Sequence, residues 1–318
     1  MEIHRGEDWV WYQLINETEE EGKKLTEQFQ MPQFLHWYET IDPNKRNTLH
    51  IDTALRNKEA VYGSFHYTQD LHEEADHSVF HFYVTRDHLF TVNLDMSILK
   101  GIDQKQVIDQ AKNAPDSIEG FLVILGEMLK GYLEGIDILE MRLQNLKWQI
   151  YADNNKSIVD QVLVLRHEIL IWKGLIMSIK KILMAVEETF LIDSSQREAF
   201  LRTSKRVDRG FIFASEFEEE LNYLMHSEEV ITSHRGNEIV KSLTIFTVLF
   251  TPMTALGALW GMNFEFMPEL SFKYGYLFAI LLILLSTLLI YLYLVKKGWT
   301  GDILKDKKKK ILRKRRSD

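Results

Sequence analysis

Cysteine is absent from this chain of 318 residues, and proline occurs only 5 times. The absence of cysteine excludes disulfides, thiolate zinc sites, iron–sulfur ligation and a cysteine nucleophile. The prolines are unevenly placed, with none between Pro115 and Pro252. Because proline interrupts helices, this part of the chain is free to form long ones, and its pattern predicts three helical stretches, at about 117–151, 156–191 and 196–260.

A basic surface is also lacking over most of the chain. The formal net charge is −8, but residues 296–318 carry +8 and the 295 residues before them carry −16. Neutralising phosphates requires a basic surface, so this distribution argues against a nucleic-acid partner. The sequence has no Walker, dinucleotide-binding, zinc-protease or nucleophile-elbow motif. We therefore expect a protein that is not an enzyme and that needs no cofactor.

Charge is missing altogether from two windows near the end, Ser242 to Phe264 with 23 residues and Tyr274 to Val295 with 22. A helix of 22 residues spans roughly 33 Å, about one hydrocarbon core. Residues 277–294 are nearly all Leu, Ile, Ala, Phe and Tyr, so two buried helices of a soluble protein are a much weaker explanation. The windows predict a hairpin of two membrane spans.

Residues at the ends of these spans predict their orientation. Tyrosines flank the second span, and Lys296 and Lys297 follow it directly, ahead of a tail rich in lysine and arginine. Aromatic residues mark membrane interfaces and basic clusters stay cytoplasmic, where the tail can contact anionic lipid. We expect a multi-pass protein of the cell membrane with both termini in the cytoplasm.

The part before the spans is expected to begin with a mixed domain. Short β-rich runs occur at Thr48–Ala54, Ala60–Thr68, Val79–Thr85 and His88–Leu94. The third helical stretch continues into the first span, and a helix of that length needs partners to bury its apolar face. The predicted class is α+β, with a cytoplasmic α/β domain at 1–115, a long-helix stalk at 116–241, the first span at 242–264, an external loop at 265–273, the second span at 274–295 and a basic cytoplasmic tail at 296–318.

The first span carries a polar stripe. A spacing of three, four and three residues places four hydroxyls on one helix face: Thr244, Thr247, Thr251 and Thr254. The same rhythm extends this face to Asn237, Val240 and Ala258. Hydroxyls in membrane helices either bond within the helix and to neighbouring helices or line a water-filled conduit shared by several copies. We favour the conduit because the polar face is sustained.

Neutral and acidic oxygens follow the stripe. Gly261-Met262-Asn263 places a glycine and an amide oxygen at the outer end of the span. Neither span contains a carboxylate, which suits an ion that keeps its hydration water, as Mg²⁺ does. In an assembly, Glu265 and Glu269 of the external loop would concentrate cations at the entrance, although ordinary loop solvation explains them equally well.

Together these features resemble the CorA family of divalent-metal channels. The resemblance rests on the long helix, the two spans, and the segments Gly261-Met262-Asn263, Phe264-Glu265-Phe266-Met267-Pro268-Glu269-Leu270, Lys296-Lys297 and Trp299. It implies a homopentameric funnel with cytoplasmic α/β domains and long stalk helices. It also implies that the first spans line the pore and that Asn263 and the Gly261 backbone select a hydrated Mg²⁺.

Carried over residue by residue, the resemblance predicts a selectivity filter of Gly261, Met262 and Asn263. The pore lining it predicts is Asn237, Val240, Leu243, Thr244, Thr247, Thr251, Thr254 and Ala258. Two positions depart from the family pattern, since Trp260 stands where tyrosine is common and Thr251 where a bulky apolar residue is frequent. A hydrophobic gate would therefore depend on Val240 and Leu243.

The resemblance further implies closure by cytosolic Mg²⁺ bound to acidic residues, for which the candidates on the third long helix are Glu216, Glu219 and Glu220. Charge runs on helices are more often solvated faces, so both explanations stay open. The implied function is Mg²⁺ uptake driven by the membrane potential, with a homopentamer, the lipid bilayer and divalent cations as partners. The alternatives are a Zn²⁺, Co²⁺ or Ni²⁺ transporter of the same family and a membrane-tethered metal sensor without conduction.

Overall fold

The structure is a computed structural model that describes residues 1–15, 25, 27–29, 32–41, 47–70, 73, 77–99, 101–152, 157–191, 197–263, 265, 267–268 and 272–299. The chain divides into two compact units, Met1–Met225 and the part that begins at His226. The first unit holds a sheet and its covering helices, and the second holds the two apolar segments.

The first unit is built on a six-stranded sheet with the spatial order β1-β2-β6-β5-β4-β3. Neighbouring strands are antiparallel except β2 and β6, which run parallel. This pairing brings β2, from the start of the chain, into the interior of the sheet. The strands are β1 (Glu2–Arg5), β2 (Val10–Leu14), β3 (Leu49–Asp52), β4 (Ala60–Gln69), β5 (His77–Val84) and β6 (His88–Val92).

Both faces of the sheet are covered. Trp11 and Phe82 belong to the core that the long helices share, whereas the next residues in each strand, Tyr12 and Tyr83, belong to an aromatic cluster under helix α1 (Pro32–Glu39). This alternation is the two-residue period of a β-strand. Because apolar side chains point both ways, these strands are hydrophobic without the polar alternation of a half-exposed sheet.

Five further α-helices follow within the described residues, and the bounds of α3, α4 and α5 agree closely with the three predicted stretches. The five are α2 (Gln104–Lys112), α3 (Ser117–Ala152), α4 (Ser157–Phe190), α5 (Glu198–Trp260) and α6 (Gly275–Lys296). The predicted α+β class with long helices and two apolar C-terminal helices is confirmed. The four predicted strand runs correspond to β3, β4, β5 and β6, with ends that differ by at most two residues. The sequence pattern does not predict β1, β2, α1 or α2, each of which has nine residues or fewer.

In the first unit, α5 is buried along one seven-residue repeat, here called the α5 seam. Ion pairs flank the seam, with Arg206 Nη1 lying 3.1 Å from Glu127 Oε1 of α3 and Lys173 Nζ of α4 lying 2.6 Å from Glu218 Oε2. Spacings of three and four residues are typical of a helix that packs along one stripe. The fully buried positions of the seam are Phe200, Thr203, Val207, Gly210, Ala214 and Leu221.

Trp9 attaches the sheet to α3. Its indole Nε1 donates a hydrogen bond to the Ala114 carbonyl at 2.9 Å. Its ring lies against Gly120, where an added Cβ would approach Trp9 Cη2 to 2.4 Å. Glycine is therefore required at position 120 by the closeness of the indole ring.

Gly120→Ala should lower the free energy of unfolding by about 1–3 kcal/mol, because the methyl group overpacks the contact with Trp9. Gly174→Ala in α4 is the matched control, since an added Cβ there meets no described neighbour within 4 Å. The control should gain up to about 1 kcal/mol from helix propensity. Denaturant unfolding of the purified full chain measures both variants, and equal stabilities would contradict the assigned contact.

A buried carboxylate holds the first turn of α5. Glu119 of α3 is 5% exposed, and its Oε2 accepts a hydrogen bond from the Ala199 N–H at 3.0 Å. Its Oε1 is buried without a hydrogen-bond partner among the described residues. Burial raises the pKa of Glu119; the Ala199 N–H and the Arg197 guanidinium oppose this rise, and the charges of Asp116 and Glu198 add to it. Glu119 thus joins α3 to the start of α5 with a carboxylate that is incompletely stabilised.

The raised pKa predicts how stability depends on pH. Since the pKa of Glu119 is higher in the folded chain than its ordinary 4.5, the folded state binds more protons, and stability should fall as the pH rises above that value. Glu119→Gln keeps an acceptor and removes the charge, so it should stabilise the chain at neutral pH and flatten the profile. Melting temperatures from about pH 4.5 to 8 test this, with the exposed Glu140→Gln of α3 as the control. A variant that follows the unmodified chain at every pH would sink the assignment.

Candidate ion pathway

The second unit contains two helical segments with the length and composition of membrane spans. Within the described residues these are in α5 and α6, with mean hydropathies of 1.6 and 2.7 over windows that are only 6% buried. Apolar side chains exposed to this extent need lipid or further copies of the chain around them. At the end of α6, Lys297 Nζ lies 5.6 Å from the centre of the Tyr293 ring, which combines the basic and aromatic groups typical of an interface.

The four threonines of the stripe bond back to their own helix. Each hydroxyl donates to the carbonyl four residues earlier, over 2.8 Å for Thr244, 2.9 Å for Thr247, 2.7 Å for Thr251 and 3.1 Å for Thr254. A hydroxyl that donates inward keeps the lone pairs of its oxygen as acceptors on the outer side. The last three residues are exposed, so the stripe presents acceptors and no hydroxyl donors.

Back-bonding of the threonine hydroxyls is compatible with both explanations of the stripe, packing within the membrane and lining of a conduit. Back-bonding satisfies the hydroxyl protons without water, and it leaves the oxygens available to a ligand. The water molecules around a cation direct their oxygens inward and their hydrogens outward, so the hydrated ion displays donors. The shell of an anion is oriented the opposite way. An acceptor stripe therefore suits a hydrated cation and disfavours a hydrated anion.

The remaining predicted lining residues lie on the same helix. Asn237, Val240 and Ala258 continue the face of the threonines by three- and four-residue steps, and Leu243 lies at its margin beside Thr244. Val240 and Leu243 are 62% and 67% exposed, which places two large apolar side chains at the N-terminal end of the expected stripe. Their role as a gate stays a prediction.

The helix ends just before the predicted filter. α5 stops at Trp260, and the N–H of Gly261 bonds to the carbonyls of Gly257 at 3.0 Å and Ala258 at 3.1 Å. An added Cβ on Gly261 would lie 3.2 Å from the Gly257 oxygen, so the closeness of the helix end favours glycine. The three residues of the triplet are exposed, and the amide of Asn263 is accessible from solvent.

The loop between the two apolar segments, which is predicted to be external, is only partly described. Glu265 is exposed, whereas Glu269 lies outside the described residues, as does the basic tail from residue 300 onward. Lys273 Nζ lies 5.9 Å from the centre of the Tyr274 ring. The acidic entrance therefore stays an expectation from the sequence.

The structure separates the three acidic residues predicted for regulation. Glu220 forms an ion pair with Lys147 of α3, whereas Glu216 and Glu219 are exposed and form no ion pair with a described residue. Across the described part of the chain, no three His, Asp or Glu side chains lie close enough together to hold a metal ion. A Mg²⁺ site at Glu216 and Glu219 would therefore draw further ligands from water or from another copy.

The α5 seam in the first unit and the threonine stripe in the second each recur with a seven-residue repeat along the sequence of α5. Within the first unit, the residues two and five positions after a seam residue, such as Arg209 and Ile212 after Val207, lie roughly half a turn from the seam and are exposed. Continued toward the start of α5, the stripe passes only through exposed residues. We call the whole row the α5 outer line, and from residue 216 onward it consists of Glu216, Glu219, Tyr223, His226, Val230, Ser233, Asn237, Val240, Thr244, Thr247, Thr251, Thr254 and Ala258.

Comparison with known sequences identifies relatives of this chain. Residues 6–297 match the family described as CorA-like Mg²⁺ transporter protein. The magnesium transport protein CorA of Bacillus subtilis is 56% identical over 318 residues, which is 100% of both chains. The magnesium transport protein CorA of one Helicobacter pylori strain is 27% identical over 308 residues, 91% of this chain and 90% of the relative.

Solved structures share the fold. The CorA magnesium transporter from Methanocaldococcus jannaschii superposes with a TM-score of 0.64 at 18% identity, covering 92% of each chain. The full-length CmaX protein superposes with a TM-score of 0.57 at 15% identity, covering 92% of this chain and 88% of that one. At these identities the likeness concerns the fold alone.

Proposed function

The chain belongs to the CorA family of Mg²⁺ transporters, and from this premise we propose that it moves Mg²⁺ across a lipid bilayer along a pathway lined by several copies of α5. The observation that carries the proposal is the acceptor stripe on a helix of membrane length. This stripe leads to the exposed triplet Gly261-Met262-Asn263, and no ionisable side chain occurs from residue 242 to 263.

The pathway requires an assembly, because the two spans of one chain cannot enclose water. Copies of α5 arranged around a common axis would bring their stripes together and turn their apolar sides toward α6 and lipid. We propose five copies, as the family resemblance implies. In this arrangement the first unit and both termini lie in the cytoplasm, and the loop after Asn263 lies outside.

Ligand chemistry favours Mg²⁺ among the divalent cations. Hydroxyl, amide and carbonyl oxygens are hard ligands that suit an ion which gives up its water reluctantly. Zn²⁺, Co²⁺ and Ni²⁺ bind imidazole well, and neither histidine nor cysteine occurs between residues 242 and 263. This argues against the transition-metal alternatives within the family.

The driving force is the membrane potential. A dication entering a cytoplasm at about −100 mV gains about 4.6 kcal/mol, twice the value for one charge. Transport of this kind needs no catalytic site. We propose that cytosolic Mg²⁺ opposes it by binding at Glu216 and Glu219, which lie on the α5 outer line and would face the other copies.

Asn263→Ala should abolish Mg²⁺ uptake without preventing assembly, because it removes the amide oxygen at the mouth of the pathway. The measurement is Mg²⁺ flux into liposomes that contain the purified full chain under an imposed potential, beside Co²⁺, Ni²⁺ and Zn²⁺. Asn222→Ala, at an exposed position on the cytoplasmic part of α5, is the matched control. Liposomes that stay impermeable to Mg²⁺ with the unmodified chain would favour a metal sensor over a transporter.

Thr247→Val should reduce Mg²⁺ flux several-fold, since it keeps the side-chain volume and removes one acceptor per copy from the stripe. Thr247→Ser should retain flux because it restores the oxygen. The control is Thr287→Val on α6, where the hydroxyl is buried without a hydrogen-bond partner among the described residues. Equal flux in the Thr247 and Thr287 valine variants would argue that the stripe packs against other helices.

A further inference from the structure

His226 lies on the α5 outer line, on the cytoplasmic side of the spans. Positions 226, 233, 240 and 247 are separated by seven residues each, and because a straight helix drifts by about 20° per seven residues, His226 lies about 60° from Thr247, on the same side of α5. Every outer-line residue from Glu216 to Val240 is exposed in the single chain. If Thr247 faces the axis of an assembly, the same repeat turns His226 toward that axis.

The surroundings of His226 leave its ring open to water. Its side chain is 76% exposed, and its Nδ1 lies 3.8 Å from Glu229 Oε2 on the same helix. No acidic group of another described element forms an ion pair with it. Its neighbours on the outer line are Tyr223 and Val230, with Glu219 one repeat earlier. In an assembly, the titratable groups nearest to it would be Glu229, Glu219 and the copies of His226 itself.

We propose that the copies of His226 form a proton-sensitive ring in the cation pathway. This inference rests on the proposed function, because it assumes that copies of α5 surround a path for Mg²⁺. It adds a regulatory input, the cytoplasmic pH, to that path.

The chemistry of imidazole gives the direction of the effect. Histidine changes its charge between about pH 5 and 8. A neutral ring offers a nitrogen acceptor to the outward hydrogens of a hydrated cation, whereas protonated rings offer only donors and repel a dication. Because the copies repel one another as they charge, protonation should spread over a broad pH range. Glu229 would offset part of the charge without restoring the acceptor.

His234 provides an internal control on the same helix. It also lies beside a glutamate, with its Nδ1 3.9 Å from Glu238 Oε1, and its side chain is 69% exposed. It follows Ser233 of the outer line by one residue, which turns it about 100° away from that line. The two histidines therefore share a type of surrounding and differ in the side of α5 that they occupy.

The test is Mg²⁺ uptake into liposomes containing the full chain, at a fixed potential and with equal pH on both sides. We expect uptake by the unmodified chain to fall about tenfold from about pH 7.5 to 5.5. His226→Gln and His226→Asn should remove most of this fall, whereas His234→Gln should retain it. His226→Lys should transport poorly throughout the range, because its charge is permanent.

Three results would overturn the inference. Uptake that is independent of pH in the unmodified chain would exclude a proton-sensitive ring while leaving Mg²⁺ transport intact. An acid-induced fall that persists in both neutral His226 variants, or that disappears in His234→Gln, would place the titrating group elsewhere. The absence of uptake at every pH would reject the proposed function and this inference with it.

Discussion

Hydrocarbon offers no hydrogen-bond acceptor, so every polar hydrogen of a membrane helix has to be accepted by protein or by enclosed water. The hydroxyls of α5 meet this constraint through bonds of 2.7–3.1 Å to carbonyls one turn earlier. The hydroxyl protons are therefore already hydrogen-bonded, whereas the lone pairs of the hydroxyl oxygens stay available as acceptors. The same bonds that allow Thr244 to Thr254 to lie in an apolar segment leave acceptor lone pairs along the stripe, and such acceptors suit the donors around a hydrated cation.

The same helix meets a different constraint in the first unit. There the α5 seam is narrow, with Thr203, Gly210 and Ala214 among its buried positions, and ion pairs from α3 and α4 flank it. Packing therefore occupies one side of α5 and leaves the opposite side exposed. The same seven-residue repeat, continued along the sequence, leads from exposed positions of the first unit to the threonines.

The strands and helices that the sequence pattern does not predict are either short or buried on both faces. Val10–Leu14 shows no polar alternation because Trp11 and Tyr12 enter two different cores, and its parallel partner β6 is distant in sequence. Helices α1 and α2, with 8 and 9 residues, are too short for their periodicity to stand out. The predicted lining does not include His226, because it begins at Asn237, although the seven-residue repeat continues toward the start of α5.

The sequence by itself determined the spans, the long helices and the spacing of the threonines, because apolarity and helical period are local properties of the chain. Only the tertiary structure decided which side of α5 is covered, since the residues that cover it belong to α3 and α4, far away in sequence. It also decided which acidic residues are engaged, with Glu220 paired to Lys147 and Glu216 and Glu219 left on the exposed side. Contacts between distant segments, which no local pattern encodes, account for that difference.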